Sequence, residues 1–270
     1  MESLEIQSLG FVGLVEMQRP PHNFFDDGLL EALAVTFESL DADPGCRAIV
    51  LAASGKSFSA GGNFSGGRPE ADSFADGSET RSDGDRSGGG AGAGSIYRTA
   101  LRLFAINTPV VAAVHGSVIG GGLGLALTAD FRITCQQAKW SANFSRLGFH
   151  PGFALSHTLP ELVGGRHARR LFYTGCRIDG SEAASIGLAD ECVPQDEVRS
   201  RSIAFAGEIA SSAPLAVQSI KATLNAGRLQ RLRQATDHEL AEQVRLLATD
   251  DAREGITAYA QRRTPEFISG

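Results

Sequence analysis

Apolar and polar positions trade places along this chain in two rhythms. Two short stretches, Leu4 to Leu9 and Phe11 to Met17, meet at Gly10 and read as a hairpin. Leu29, Leu30, Leu33, Val35, Phe37 and Leu40 then recur at helical spacing, with Asp26 or Asp27 placed to cap the helix. Residues 47–53, apolar from Ala48 onward, and the continuous apolar run 110–114 read as strands buried on both faces. Residues 97–106 predict a helix, and 131–135 and 138–141 predict short strands. Beyond Pro151 the pattern turns helical, with helices expected at 197–211, 214–226, 229–249 and 250–262. Pro214 suits a first helical turn. Strands alternating with helices imply parallel pairing with crossover connections, an α/β fold.

Residues 64–95 break this rhythm. They are rich in Asp, Glu, Ser and Gly, a composition that cannot supply much core. The segment is either a substrate lid or disorder. At 270 residues the chain fits one domain with a helical appendage, a core over 1–195 and a helical region over 196–270. A net charge of −6 gives no electrostatic case for a nucleic-acid partner. The four cysteines (Cys46, Cys135, Cys176, Cys192) are scattered, without the spacing of a metal site, and read as reduced thiols. No signal-like N-terminus and no membrane-length apolar run is visible, so a cytoplasmic protein without a membrane partner is expected.

The candidate chemistry lies at two strand ends. The run 110–114 ends in a turn, and Gly120, Gly121 and Gly122 open an Ala/Leu-rich helix. Backbone N–H groups and the positive end of a helix dipole meet there, and glycine lets a ligand approach closely. Such a place suits an anionic oxygen, including the oxyanion of a thioester enolate. The run 47–53 leads into a second glycine-bearing loop, Phe58-Ser-Ala-Gly-Gly-Asn63. Two decoys fail. Ser54-Gly-Lys-Ser57 lacks the leading P-loop glycine, because Val50 stands there, and the glycine triplet meets Leu125 where a dinucleotide fingerprint needs its third glycine.

Together these segments resemble the crotonase (enoyl-CoA hydratase/isomerase) superfamily. The likeness extends through Arg19-Pro-Pro-His-Asn23, Ala113-Val-His-Gly to Asp130, Pro151-Gly152, Phe172-Tyr-Thr-Gly175, Glu182-Ala183, Gly187 to Asp190 and Pro214. It implies a ββα spiral with two roughly perpendicular sheets and a C-terminal helical trimerisation region. It also implies an acyl-CoA substrate in fatty acid metabolism, a homotrimer or dimer of trimers, and no cofactor beyond the CoA that the substrate carries. By resemblance, the N–H groups of Ala60 and Gly121 form the oxyanion hole. Pro21 and His22 lie on the loop that meets the nucleotide, with Lys56 and Ser57 nearby. Phe58, Ser59 and Ala60 line the pantetheine channel, and Gly61, Gly120, Gly124 and Phe144 complete the site. Tyr259, Arg262, Arg263 and Phe267 are similar to the element that reaches a neighbour's CoA; a solvated helix end accounts equally well for the two arginines.

The same resemblance exposes a conflict. Hydratases of the family use two glutamates, and the corresponding positions here hold Gly124 and Phe144. The position where some isomerases carry aspartate is Gly152. General acid–base help is worth roughly 10²–10⁴-fold, so hydration is expected to be poor. His150 is the titratable substitute nearest the Pro-Gly turn, either as acid/base or packed against that turn. His115 and Asp130 are expected to be structural. The reading is an enoyl-CoA hydratase/isomerase-like enzyme that stabilises an enolate or oxyanion. Its alternatives are a hydrolase, decarboxylase or retro-Claisen lyase using a histidine, and a non-catalytic acyl-CoA-binding subunit.

Overall fold

The computed structural model describes residues 3–62 and 93–269. The segment 64–95, read as lid or disorder, falls almost wholly outside them. The strands are β1 (Leu4–Leu9), β2 (Val12–Met17), β3 (Ala48–Ala53), β4 (Ser57–Ser59), β5 (Val110–Val114), β6 (Ser117–Ile119), β7 (Phe131–Thr134), β8 (Lys139–Ser141), β9 (Ile178–Asp179) and β10 (Glu191–Cys192). The helices are α1 (Asp27–Ala42), α2 (Ala93–Phe104), α3 (Gly121–Ala126), α4 (Leu155–Thr174), α5 (Gly180–Ser185), α6 (Val198–Ala210), α7 (Pro214–Leu224), α8 (Arg228–Leu247) and α9 (Asp250–Gln261).

Two sheets organise these elements. One runs β1-β2-β3-β5-β7-β10 and the other β4-β6-β8-β9. The pairs β3/β4, β5/β6 and β7/β8 each give one strand to each sheet, and helices follow the first two pairs, so the chain winds as a ββα spiral. β2, β3, β5, β7 and β10 are parallel, and β1 joins β2 as the antiparallel hairpin read from the sequence. All six residues of β3 and all five of β5 are buried, which explains their unbroken apolar character. Asp26 caps α1 by accepting from the Leu29 N–H at 2.9 Å.

The helices after residue 195 are not separated from the core by a gap in packing. α6 lies on the parallel strands β2, β3, β5 and β7. Val198, Ala206, Leu232 and Leu247 join the same apolar cluster as Phe37, Leu51 and Trp140. Each fully buried Val, Leu or Phe among them contributes about 1.5–3 kcal/mol of burial free energy. α8 packs on α2 and α4, and α9 packs on a 3₁₀ turn, Asn143–Leu147. Among the described residues, no single helix is long and apolar enough to cross a membrane.

Candidate active site

The β4 strand end and the α3 N-terminus are pressed together. An ideal Cβ on Gly61 would stand 3.1 Å from the Gly121 nitrogen and 3.3 Å from that of Gly122. A Cβ on Gly122 would collide with the Ser59 carbonyl, so only glycine permits this approach. Gly120 adopts φ 56° and ψ −122°, a conformation closed to side-chain-bearing residues, and turns the chain from β6 into α3. Inside largely buried surroundings, Ala60, Gly62 and Gly121 remain partly open to solvent.

The hydrogen bonds decide which backbone donors are available. The Ala60 N–H donates to the His22 carbonyl at 2.9 Å, so the expected role of Ala60 as an oxyanion donor does not fit this geometry. The Gly61 N–H donates to Ser59 Oγ at 3.2 Å. Gly62 forms a parallel bridge with Phe25 in which the Phe25 N–H donates to the Gly61 carbonyl at 3.0 Å. The Gly62 N–H therefore has no acceptor among the described residues. On the facing segment the Gly120 N–H donates to Ser141, and the Gly121 N–H has no backbone acceptor among the described residues. The direction of each N–H in this loop depends on contacts with residues 22–25, which the sequence alone does not show.

Aromatic rings wall this place. A Cβ on Gly121 would stand 2.6 Å from Phe25 Cζ, and the rings of Phe25 and Phe153 lie 5.6 Å apart. Phe144 comes beside Gly120 and packs edge-on to Phe149 at 5.8 Å. The volume beside Gly124 belongs to Phe153, whose Cβ and ring would lie 2.5–3.0 Å from any Cβ placed there. Phe153 and Ala154 both hold positive φ, 63° and 59°, which is costly without glycine. Glu239 of α8 holds this turn by accepting from the Ala154 N–H at 2.7 Å and the Ser156 N–H at 2.8 Å. Burial raises the Glu239 carboxyl to about 7, against the pull of those donors. The Tyr97 hydroxyl and Gln243 fill the space beside Gly152, and burial, helped by the Glu239 charge, pushes the Tyr97 phenol up. The parts played by Phe153, Glu239 and Tyr97 left no mark in the sequence, since each depends on tertiary contacts.

The other expected residues divide into groups. His150 turns toward α8: its Nδ1 lies 2.8 Å from the Pro151 carbonyl, its ring meets His238 at 5.6 Å, and Gln243 donates to its carbonyl. None of these contacts is with the glycine segments, which argues against the acid/base role. Phe58 and Ser59 are completely buried, and Ser59 Oγ donates to the Asn23 carbonyl, so these side chains face the interior and not a channel. Pro21, His22, Lys56 and Ser57 do come together. The Pro21 carbonyl accepts from the Lys56 and Ser57 N–H groups, and His22 Nδ1 lies 3.2 Å from Ser57 Oγ. Asn23, whose role the sequence did not reveal, ties this cluster by donating to the Ser54 and Ser57 carbonyls.

His115 and Asp130 are structural, as expected. His115 Nε2 lies 3.0 Å from the Gly55 carbonyl, and Asp130 accepts from the Val110 N–H and Lys221. At the C-terminus, Tyr259 and Phe267 are exposed and Arg263 pairs with Glu254. Among the described residues, no group of His, Cys, Asp and Glu is arranged to hold a metal ion.

A ββα spiral with facing glycine turns at two strand ends is the crotonase fold. The chain belongs to the enoyl-CoA hydratase/isomerase family, whose sequence pattern matches residues 9–270. It is 38% identical over 177 residues to a crotonyl-CoA hydratase of Syntrophomonas wolfei, covering 65% of this chain and 68% of that protein. It is 28% identical over 268 residues to a probable enoyl-CoA hydratase of Bacillus subtilis, covering 99% of each. Among solved structures, an enoyl-CoA hydratase/isomerase from Pseudoalteromonas atlantica superposes with a TM-score of 0.84 at 28% identity, covering 99% of this chain and 100% of that one.

Proposed function

We propose that this protein acts on an acyl-CoA thioester and holds the thioester oxygen on the N–H groups of Gly62 and Gly121, stabilising the enolate or oxyanion that forms there. The observation that carries this reading is the pair of backbone donors without backbone acceptors among the described residues, on two facing glycine segments. Each such donor is worth about 3–4 kcal/mol in a transition state. The aromatic wall of Phe25, Phe144 and Phe153 suits an apolar acyl chain, and the loop cluster of Pro21, His22 and Lys56 suits the CoA nucleotide. The proposal includes assembly as a homotrimer or dimer of trimers, supported by the exposed Leu215, Ile220 and Leu224 of α7, and a cytoplasmic location.

Hydration of an enoyl thioester needs a base for water and an acid for the α-carbon. Gly124, overlaid by Phe153, and Phe144 offer neither. This observation favours, as a second reading, decarboxylation: the bond between the α-carbon and a carboxylate breaks, CO2 leaves, and the electron pair stays as the thioester enolate. Thermal melting with butyryl-CoA, free CoA and no ligand tests the thioester reading. Stabilisation by butyryl-CoA beyond that by CoA is expected. Equal melting in all three overturns it. Crotonyl-CoA hydration is expected to run at least ~10²-fold below that of a two-glutamate relative; a comparable rate would show that another group supplies the acid and base.

A further inference from the structure

Tyr97 stands near the start of α2 and is only 6% exposed. Its hydroxyl lies 2.4 Å from where a Cβ on Gly152 would stand, so an oxygen from a distant helix fills the room that a side chain at 152 would take. Gln243 Nε2 approaches the same point from α8, but it donates to the His150 carbonyl. Packing alone does not ask for the oxygen, because phenylalanine offers the same ring and burying a hydroxyl carries a desolvation cost. The residue after Gly152 is Phe153, whose Cβ and ring lie on Gly124, three residues along α3 from Gly121. The hydroxyl thus stands on the turn that closes the site beside α3. The other ionisable groups at this turn are engaged elsewhere. Glu239 accepts from the Ala154 and Ser156 N–H groups, His150 faces the Pro151 carbonyl and His238, and Glu242 pairs with Arg245.

We infer that Tyr97 is the catalytic acid of this site, its hydroxyl delivering a proton to the α-carbon of the thioester enolate. The inference rests on the thioester reading of the Gly62 and Gly121 donors. In this step the enolate's electron pair forms the new C–H bond and the thioester carbonyl is restored. The Tyr97 O–H bond breaks, and the phenolate left behind takes a proton from water. Burial, with the Glu239 charge behind it, pushes the phenol up and keeps it neutral, so the proton is in place throughout the physiological range. A phenol so raised is still a far stronger acid than the carbon beside a thioester carbonyl. An acid without a companion base suits decarboxylation, where the departure of CO2 makes the enolate and only a proton is then needed. It does not suit hydration, because Tyr97 supplies no base for water.

The test follows exchange of the α-protons of butyryl-CoA in D2O by NMR, with full-length wild type and Tyr97→Phe, beside the dissociation constant of butyryl-CoA for each. Exchange runs the same proton transfer in both directions, the phenolate removing the proton and the phenol returning it. Wild type is expected to catalyse exchange at a rate that climbs about tenfold per pH unit between about pH 6 and 9, because the phenolate is the minor form throughout. Tyr97→Phe keeps the ring and should slow exchange ~10²-fold or more while leaving butyryl-CoA affinity within about twofold. A variant that exchanges as fast as wild type overturns the inference, as does a wild type that binds butyryl-CoA without exchanging its α-protons. A variant that no longer binds would make Tyr97 a packing residue and overturn the role too. A rate that levels off near pH 7 would point instead to Glu239, whose carboxyl stands at about 7, and would overturn it as well. Failure of butyryl-CoA to bind wild type would overturn the thioester reading beneath it.

Discussion

Glu239 sits wholly inside the protein and closes the start of α4 from a helix 85 residues away in sequence. Its carboxyl is raised from 4.5 to about 7, chiefly by burial. The folded chain then keeps a proton that the unfolded chain gives up above pH 4.5. This favours folding fully below about pH 4.5, and the benefit is lost as the pH rises through 7. The change corresponds to about 3 kcal/mol. Denaturant melts of wild type and Glu239→Gln between pH 5 and 8 should show the wild type losing ground to the variant as the pH rises. Parallel curves would mean that Glu239 does not titrate in this range. At Gly124 the issue is volume. Gly124→Glu forces a side chain into Phe153 and is expected to cost about 2 kcal/mol or more without restoring hydration. Adding Phe153→Gly removes both the ring and the strained φ, and should recover much of the melting temperature; no recovery would show that the clash lies elsewhere. The sequence showed the two glycine loops, but it could not reveal that the Ala60 N–H is tied to the His22 carbonyl while that of Gly62 has no such partner among the described residues.

α7 shows what holds an element whose own residues are not buried. It exposes Leu215 and Leu224, and its firmest described anchor is Lys221, whose ammonium donates to Asp130 at 2.7 Å and to the Thr108 carbonyl at 3.1 Å. Both partners of the ion pair are largely out of water, at 13% and 21% side-chain exposure. Removing one leaves the other without its counter-charge. In Lys221→Met, amide hydrogen exchange across α7 is expected to quicken by about tenfold or more, with α6 unchanged. Equal protection in both proteins would show that α7 is held by other contacts. The long helices and the strands β3 and β5 were legible because their apolar periods run for several turns or fill a whole strand. The short strands β4 and β6 were not, because each lies inside a loop rich in glycine and serine that reads as a turn. α4 was seen only as a helical trend, since Pro160 and a non-helical Gly164 interrupt its pattern.

For the whole molecule, the proposed trimer predicts a sedimentation mass near three times 28.4 kDa, or six times for paired trimers. Leu215→Glu with Leu224→Glu should shift the protein toward monomer while keeping its helical circular dichroism. A wild-type monomer would overturn the assembly. The pattern of runs showed only strands alternating with helices; the spiral followed from the resemblance of the glycine-bearing segments to the family. The wall of the site was not legible, because it is assembled from distant parts. The 3₁₀ turn bearing Asn143 and Phe144 is backed by α9, where Gly148 meets Ala252 and Gly255 meets Leu147, and the turn before α4 is held by Glu239. These contacts impose a timetable on biosynthesis. A ribosome adding about 5–20 residues per second leaves the acyl wall without its backing for several seconds after the glycine turns have emerged. In that interval the nascent chain displays Phe144 and Phe153 without the helices that bury them, making this stretch the natural target for a chaperone.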